Sequence, residues 1–205
     1  TFQASVTGYY VEFQNRLLAV TQGVGIQGNA SALSNVGGVT ARGVDVAAHW
    51  KFARNWSLFA SYAFNNSLYD NNVYADGVVS ARIKGKHTVG MPSNLANVEL
   101  GYDDGAIWGN VLMQFQDKRY YTYTNDASVP ANAIFNLNVG YRFQSQNWFL
   151  RGMDAQINVT NLFNKRYVAT VGSNGFVNSD PSGTFQTLQA GAPRMVFFTI
   201  RKHFD

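Results

Sequence analysis

No cysteine occurs among the 205 residues. That excludes a disulfide scaffold and any thiolate-held zinc or iron–sulfur site. Charge is scarce as well: Asp, Glu, Lys and Arg make up 14% of the chain, against roughly a quarter in a soluble domain. The net charge of +4 is small for the length, and Lys and Arg form no stripe, so nucleic acid is not an expected partner. Long apolar runs are missing too. None approaches the ~20 residues that a spanning helix needs, because each breaks at Gly, Ser, Asn or a charge. What is plentiful is hydrophobic (46%) and aromatic (15%), and that excludes a disordered chain. A membrane protein can carry this balance if its apolar residues share one face only.

Period two runs through the chain. Phe2, Ala4, Val6, Gly8 and Tyr10 alternate with Gln3, Ser5 and Thr7. After Tyr9 the phase slips to Val11 and Phe13, which predicts a bulge or the end of the buried band. Val44, Val46, Ala48, Trp50 and Phe52 share a second apolar face, and Trp56, Leu58, Ala60, Tyr62 and Phe64 a third. Further faces run over Ala96–Tyr102, Ile107–Phe115, Ala133–Phe143 and Met153–Val159. The last comprises Val196, Phe198, Ile200 and Phe204, interrupted by Lys202. Alternation of this kind means strands with one apolar and one polar face. Helical spacing appears nowhere for more than a turn.

The connections alternate in length. Short ones are Ala53-Arg54-Asn55, Asp103-Asp104-Gly105 and about four residues around Gln144–Asn147. Long ones are Ala19–Gly38, Asn66–Pro92, Asp117–Pro130 and Leu162–Pro193, with the 4 Pro in them or at their ends. Compact soluble domains rarely carry four such loops, whereas outer-membrane barrels combine short periplasmic turns with long extracellular loops. Strands of about ten residues at ~3.3 Å rise, tilted ~45°, span roughly 23 Å, close to the ~25 Å apolar band of such barrels. Trp50, Phe52, Trp56, Trp148 and Phe149 fall near the short turns, and Tyr62, Phe64, Phe115, Tyr120 and Tyr121 near the long loops. Two aromatic girdles would have this distribution. The expected fold is therefore all-β: an antiparallel up-and-down transmembrane β-barrel segment of about eight strands, with its C-terminus periplasmic. Thr1 begins directly in a strand-like pattern, so an excised segment of a longer protein is expected.

Two motifs carry a family resemblance. Ile157-Asn158-Val159-Thr160-Asn161-Leu162-Phe163-Asn164-Lys165-Arg166-Tyr167 resembles the element that closes the penultimate strand of TonB-dependent outer-membrane receptors. Gly191-Ala192-Pro193-Arg194, leading to Val196, Phe198, Ile200 and Phe204, resembles their C-terminal strand. Gly43-Val44-Asp45 and Asp117-Lys118-Arg119-Tyr120-Tyr121 are weaker matches in the same order. Lys202 and the trailing Asp205 depart from that pattern. The resemblance implies that residues 1–205 are the C-terminal portion of a plugged 22-stranded barrel, with plug and earlier strands outside this sequence. It also implies a bacterial outer-membrane location, contact with outer-membrane lipid, and coupling to the TonB complex through an N-terminal plug. The implied function is uptake of a scarce nutrient: an iron chelate, carbohydrate or cobalamin. A small complete eight-stranded barrel with a structural or adhesive role is the alternative.

No catalytic, cofactor or metal site is expected. His49, His87 and His203 lie on different elements, and no nucleophile elbow or phosphate loop occurs. Asp103 and Asp104 read as turn chemistry. Asp45, Lys51, Glu99, Arg142 and Asp154 are expected in the lumen. The candidate ligand contacts are Lys118, Arg119, Tyr120, Tyr121 and Tyr123, where rings could stack and cations meet an anionic chelate. The other reading, which is favoured, is an aromatic girdle with cations snorkelling to headgroups.

Overall fold

The computed structural model describes residues 1–21, 31–35, 37–75, 78–172 and 187–203. Eight long strands form one antiparallel sheet: β1 (Phe2–Phe13), β2 (Val39–Trp50), β3 (Trp56–Tyr69), β4 (Asn94–Asp103), β5 (Ile107–Gln116), β6 (Asn132–Arg142), β7 (Met153–Thr160) and β8 (Met195–Lys202). Each pairs with its neighbours in sequence, and the sheet is open, with β1 and β8 as its edges. No helix occurs among the described residues.

Cross-strand partners point to the same face, so register tests the faces inferred from alternation. Leu58, Leu100, Val111, Leu137, Val159 and Val196 form one row through successive pairs. Gly101, Asn110, Asn138, Asn158 and Phe197 form a row on the opposite face. The apolar face is bare at both edges, where Val6 is 70% and Phe198 65% exposed. The polar face is laced by side-chain amides. Asn110 donates to Glu99 at 2.9 Å, Asn138 to Asn110 at 2.6 Å and Asn97 to Ser61 at 3.2 Å.

One alternative and one expectation need correction. Of the two readings of the phase slip after Tyr9, a bulge is excluded: β1 and β2 stay in register from Phe2↔Trp50 to Phe13↔Val39. Val11 and Phe13 therefore lie on the otherwise polar face. Phe13 shares its row with Val39 and Tyr69, both 1% exposed. At this end of the strands, packing under the loops makes that face apolar. The second correction is the turn between β6 and β7, which takes all of residues 143–152. Its last turn is closed by the bonds of Arg151 and Leu150 amides to the Asn147 carbonyl. Lys202, on the apolar face, donates its ammonium to the carbonyls of Trp148 (3.0 Å) and Arg151, tying this turn to β8. A cation on an apolar face is tolerable where its head reaches backbone oxygens at the rim.

The long connections are not bare loops. Each carries a two-stranded hairpin: Leu17–Thr21 with Ser31–Asn35, Val73–Ala75 with Val78–Ala81, Arg119–Tyr120 with Ser128–Val129, and Val168–Gly172 with Thr187–Ala190. The most buried apolar cluster sits where the sheet meets these loops: Val39 and Tyr69 at the loop ends of β2 and β3, with Ile83 and Tyr123 from the loops and Val73 and Val89 packed against them. Thr1 and His203 lie at the opposite end, bonded to Lys51 and Gly152 of the short turns. Phe204 and Pro181 lie outside the described residues.

Candidate functional site

Chemistry-bearing side chains concentrate where the strands rise into the long loops. Adjacent loops there are bonded to one another. Asp70 accepts from Thr40 at 3.0 Å, and Asn71 accepts from the Gly38 amide at 2.9 Å. Asn125, at a left-handed φ of 58°, uses its side-chain amide as a strand mimic against His87. It accepts from the His87 N–H at 2.6 Å and donates to its carbonyl at 3.0 Å. The Gly90 amide donates to Tyr120 O at 2.9 Å.

Among the residues singled out by sequence, Arg119 is 5% exposed. Its guanidinium donates to the carbonyls of Val168 (2.6 Å) and Ala169 (2.9 Å), joining two loops, while its Nε has no partner among the described residues. Burial holds its pKa below the ordinary value. Tyr123 is 4% exposed and packs 6.0 Å from the Tyr69 ring. The Tyr120 ring stacks on His87 at 5.8 Å, and the exposed Lys118 ammonium lies 5.2 Å from the Tyr120 ring centre. Tyr121 is half-buried, its amide bonded to Ala127 O at 3.2 Å. The five thus divide: Arg119 and Tyr123 are inside the loop core, while Lys118, Tyr120 and Tyr121 reach its surface.

The Asn161–Tyr167 motif has a physical role. Asn161 is 4% exposed at a left-handed φ of 49°. Its amide donates to Lys165 O (2.8 Å) and Ala192 O (3.0 Å) and accepts from the Lys165 N–H (2.8 Å). Asn164 accepts from the Arg194 N–H at 3.0 Å. The Tyr167 ring lies flat on Gly191, leaving no room for a Cβ. Gly43 is likewise covered by the Tyr9 ring. One motif therefore clamps the other, delivering the chain from loop to β8.

At the short-turn end, Asp103 and Asp104 do cap the turn. Asp103 accepts from the Gly105 N–H and pairs with both terminal nitrogens of Arg142 at 2.8 and 3.0 Å. Asp104 accepts from the Ile107 and Ala106 amides, which lower its pKa. The three His stay apart, and no metal-ligating cluster occurs among the described residues.

Sequence reading missed a cavity of about 490 Å³ on the polar face below the last loop. The signal was present: Gln114, Gln116, Asn132 and Asn136 follow the polar phase at the loop ends of β5 and β6. Only register and the loop above bring them to one place.

The family model described as "TonB dependent receptor-like, beta-barrel" matches residues 1–162. The ferrioxamine B receptor of Salmonella typhimurium is 28% identical over 144 residues, covering 68% of this chain and 19% of that protein. The ferric yersiniabactin uptake receptor of Yersinia pestis superposes with a TM-score of 0.72 at 20% identity, over 100% of this chain and 28% of that one. The pyoverdine outer membrane receptor of Pseudomonas aeruginosa gives 0.66 at 16%, over 99% and 27%. The chain thus spans about a fifth of the curated relative and just over a quarter of the solved receptors.

Proposed function

The chain belongs to the TonB-dependent receptor-like β-barrel family, and from that premise we propose that it forms the C-terminal wall of an outer-membrane receptor that takes up an iron chelate with energy supplied through TonB. The observation carrying this reading is the two-faced sheet capped by cross-linked loops. Its apolar face, continuous across eight strands, suits outer-membrane lipid; its polar face suits a watery lumen holding a plug. The relatives are named as receptors for ferrioxamine B, ferric yersiniabactin and pyoverdine, which supports transport of a chelate in place of catalysis.

In this reading the short turns and the C-terminus are periplasmic, and earlier strands of the parent barrel cover the edges of β1 and β8. An open edge in lipid would leave backbone groups unpaired at several kcal/mol each. Missing strands and a missing plug fit the open sheet better than a complete small barrel does. Lys118, Tyr120 and Tyr121 stand at the loop surface as first contacts for ligand, with Arg119 and Tyr123 holding the hairpin beneath them. The test is radio-iron uptake by cells producing the full-length parent receptor, with and without TonB. Chelate-dependent uptake lost without TonB is expected. TonB-independent uptake, or a sharp closed monomer formed by residues 1–205 alone, would overturn the proposal.

A further inference from the structure

The apolar face has a gap beside the short turns. Trp56, Tyr102, Gly109, Val139, Ile157 and Phe198 form a row through successive pairs, and Gly109 alone among them has no side chain. The strand pairing requires glycine there: a Cβ would stand 2.7 Å from the Asn138 carbonyl oxygen and 3.4 Å from Val139 Cα. The consequence is a groove of about 340 Å³ over Gly109. Ile107 and Val111 bound it along β5, Leu100 and Tyr102 on the β4 side, and Leu137 and Val139 on the β6 side. Trp56 extends the β4 side, its ring 4.9 Å from that of Tyr102. Trp108, Asn110 and Asn138 border the groove too, but their side chains are engaged on the polar face. The Trp108 ring covers Gly140, and the Asn138 amide donates to Asn110.

An empty groove forfeits dispersion contacts, so against lipid it takes up a flexible acyl chain. Lipid tails are as apolar as Leu, so that chain gains nothing from leaving its neighbours except packing. Selectivity must come from the polar end. Gly109 lies two residues inside the end of β5, roughly 7 Å along the strand, close to the boundary between headgroups and chains. At the groove's edge the Tyr102 hydroxyl donates to Asp104 at 3.1 Å, which sets that carboxylate beside it. The neighbouring Asp103 is taken by Arg142. Asp104 forms no ion pair among the described residues. An unpaired carboxylate there attracts a headgroup that carries an ammonium and repels one whose only charge is negative.

We propose that this groove is a phospholipid site selective for phosphatidylethanolamine over phosphatidylglycerol: one acyl chain lies over Gly109, and the headgroup ammonium pairs with Asp104. This rests on the receptor reading above, which sets the apolar face against lipid and the short turns at the periplasmic leaflet.

The test is photo-crosslinking of the full-length receptor in phosphatidylcholine vesicles. The probes are trace phosphatidylethanolamine or phosphatidylglycerol carrying a diazirine on the acyl chain, and mass spectrometry locates the label. Phosphatidylethanolamine should label Leu100 and Leu137 about threefold more than phosphatidylglycerol does. At Val46, on the apolar face of β2 away from the groove, the two should label alike. Asp104→Asn keeps an acceptor for the Ile107 and Ala106 amides and should equalise the two lipids at Leu100. Val111→Trp fills the groove and should lower labelling of Leu100 and Leu137 by either lipid about threefold. Both variants should keep heat-modifiable migration. Equal labelling of Leu100 by the two lipids in the unaltered receptor shows surrounding bulk lipid only, and a preference that survives Asp104→Asn removes the pairing; either overturns the site while leaving the receptor reading intact. No label at Val46, Leu100 or Leu137 from either lipid overturns the lipid-facing assignment together with the site.

Discussion

Replacing Asn161 by Ala tests whether the family motif works as a mechanical clamp. The change removes three hydrogen bonds of 2.8–3.0 Å from a site that is 4% exposed. Each contributes about 1 kcal/mol net. It also places Ala at a left-handed φ of 49°, at roughly 1–2 kcal/mol. Together these make about 4 kcal/mol, roughly a thousandfold in a local opening equilibrium. The loss should be local, because the register of β7 with β8 is held by its own ladder. The assay is hydrogen exchange on the full-length receptor in detergent, read at the Gly191 and Arg194 amides. Those amides bond to Tyr167 O and Asn164 Oδ1 across the clamp. Asn161→Gly keeps the backbone conformation and should recover about tenfold of the protection. If Asn161→Gly exchanged like wild type, the side-chain bonds would contribute nothing. If Asn161→Ala did so as well, the clamp would not exist.

Val139→Arg, on the apolar face at 45% exposure, should impair folding of the receptor into liposomes by ~2–4 kcal/mol, while Ala47→Arg on the polar face should be tolerated; equal defects would reject the faces. Cysteines at Val6 and Phe198, on the two sheet edges, should not crosslink in the parent, whereas Val159 and Val196, direct partners, should. The Thr122 hydroxyl donates to Asp126 at 2.5 Å and holds its pKa below the ordinary 3.8. Stability from a lowered carboxylate is complete above that value and is lost as pH falls through the folded pKa. Protection of the Tyr121 amide, which bonds Ala127 O, should therefore weaken below pH 3.8 beyond the intrinsic pH effect on exchange, and Thr122→Val, which removes the largest of the bonds that lower the Asp126 pKa, should reduce that dependence.

The architecture was legible because its physics is local. A period of two needs only the alternation of residues such as Trp56, Leu58 and Ala60 with Ser57 and Ser61. The sheet's register then confirmed every apolar face it tested. The Asp103-Asp104-Gly105 turn was readable for the same reason, since its capping bonds reach only two or three residues. The phase change after Tyr9 was visible, but its cause was not: Val39 and Tyr69, the partners that turn that face apolar, are far along the chain.

The site was decided by contacts that sequence cannot order. Lys118 to Tyr123 read as one aromatic and cationic cluster, yet Arg119 spends its charge on Val168 and Ala169 carbonyls about fifty residues away. Tyr123 spends its ring on Tyr69. The amide cavity unites β4 to β8 with the loop that follows Asn161, and no spacing rule links Asn97 to Ala192. The sequence by itself determined strands, faces and the alternation of short and long connections, because these follow from neighbours along and across a ladder. Only the tertiary structure decided which side chains are consumed as loop fastenings and which remain open to a ligand, because that depends on where the long loops fold back.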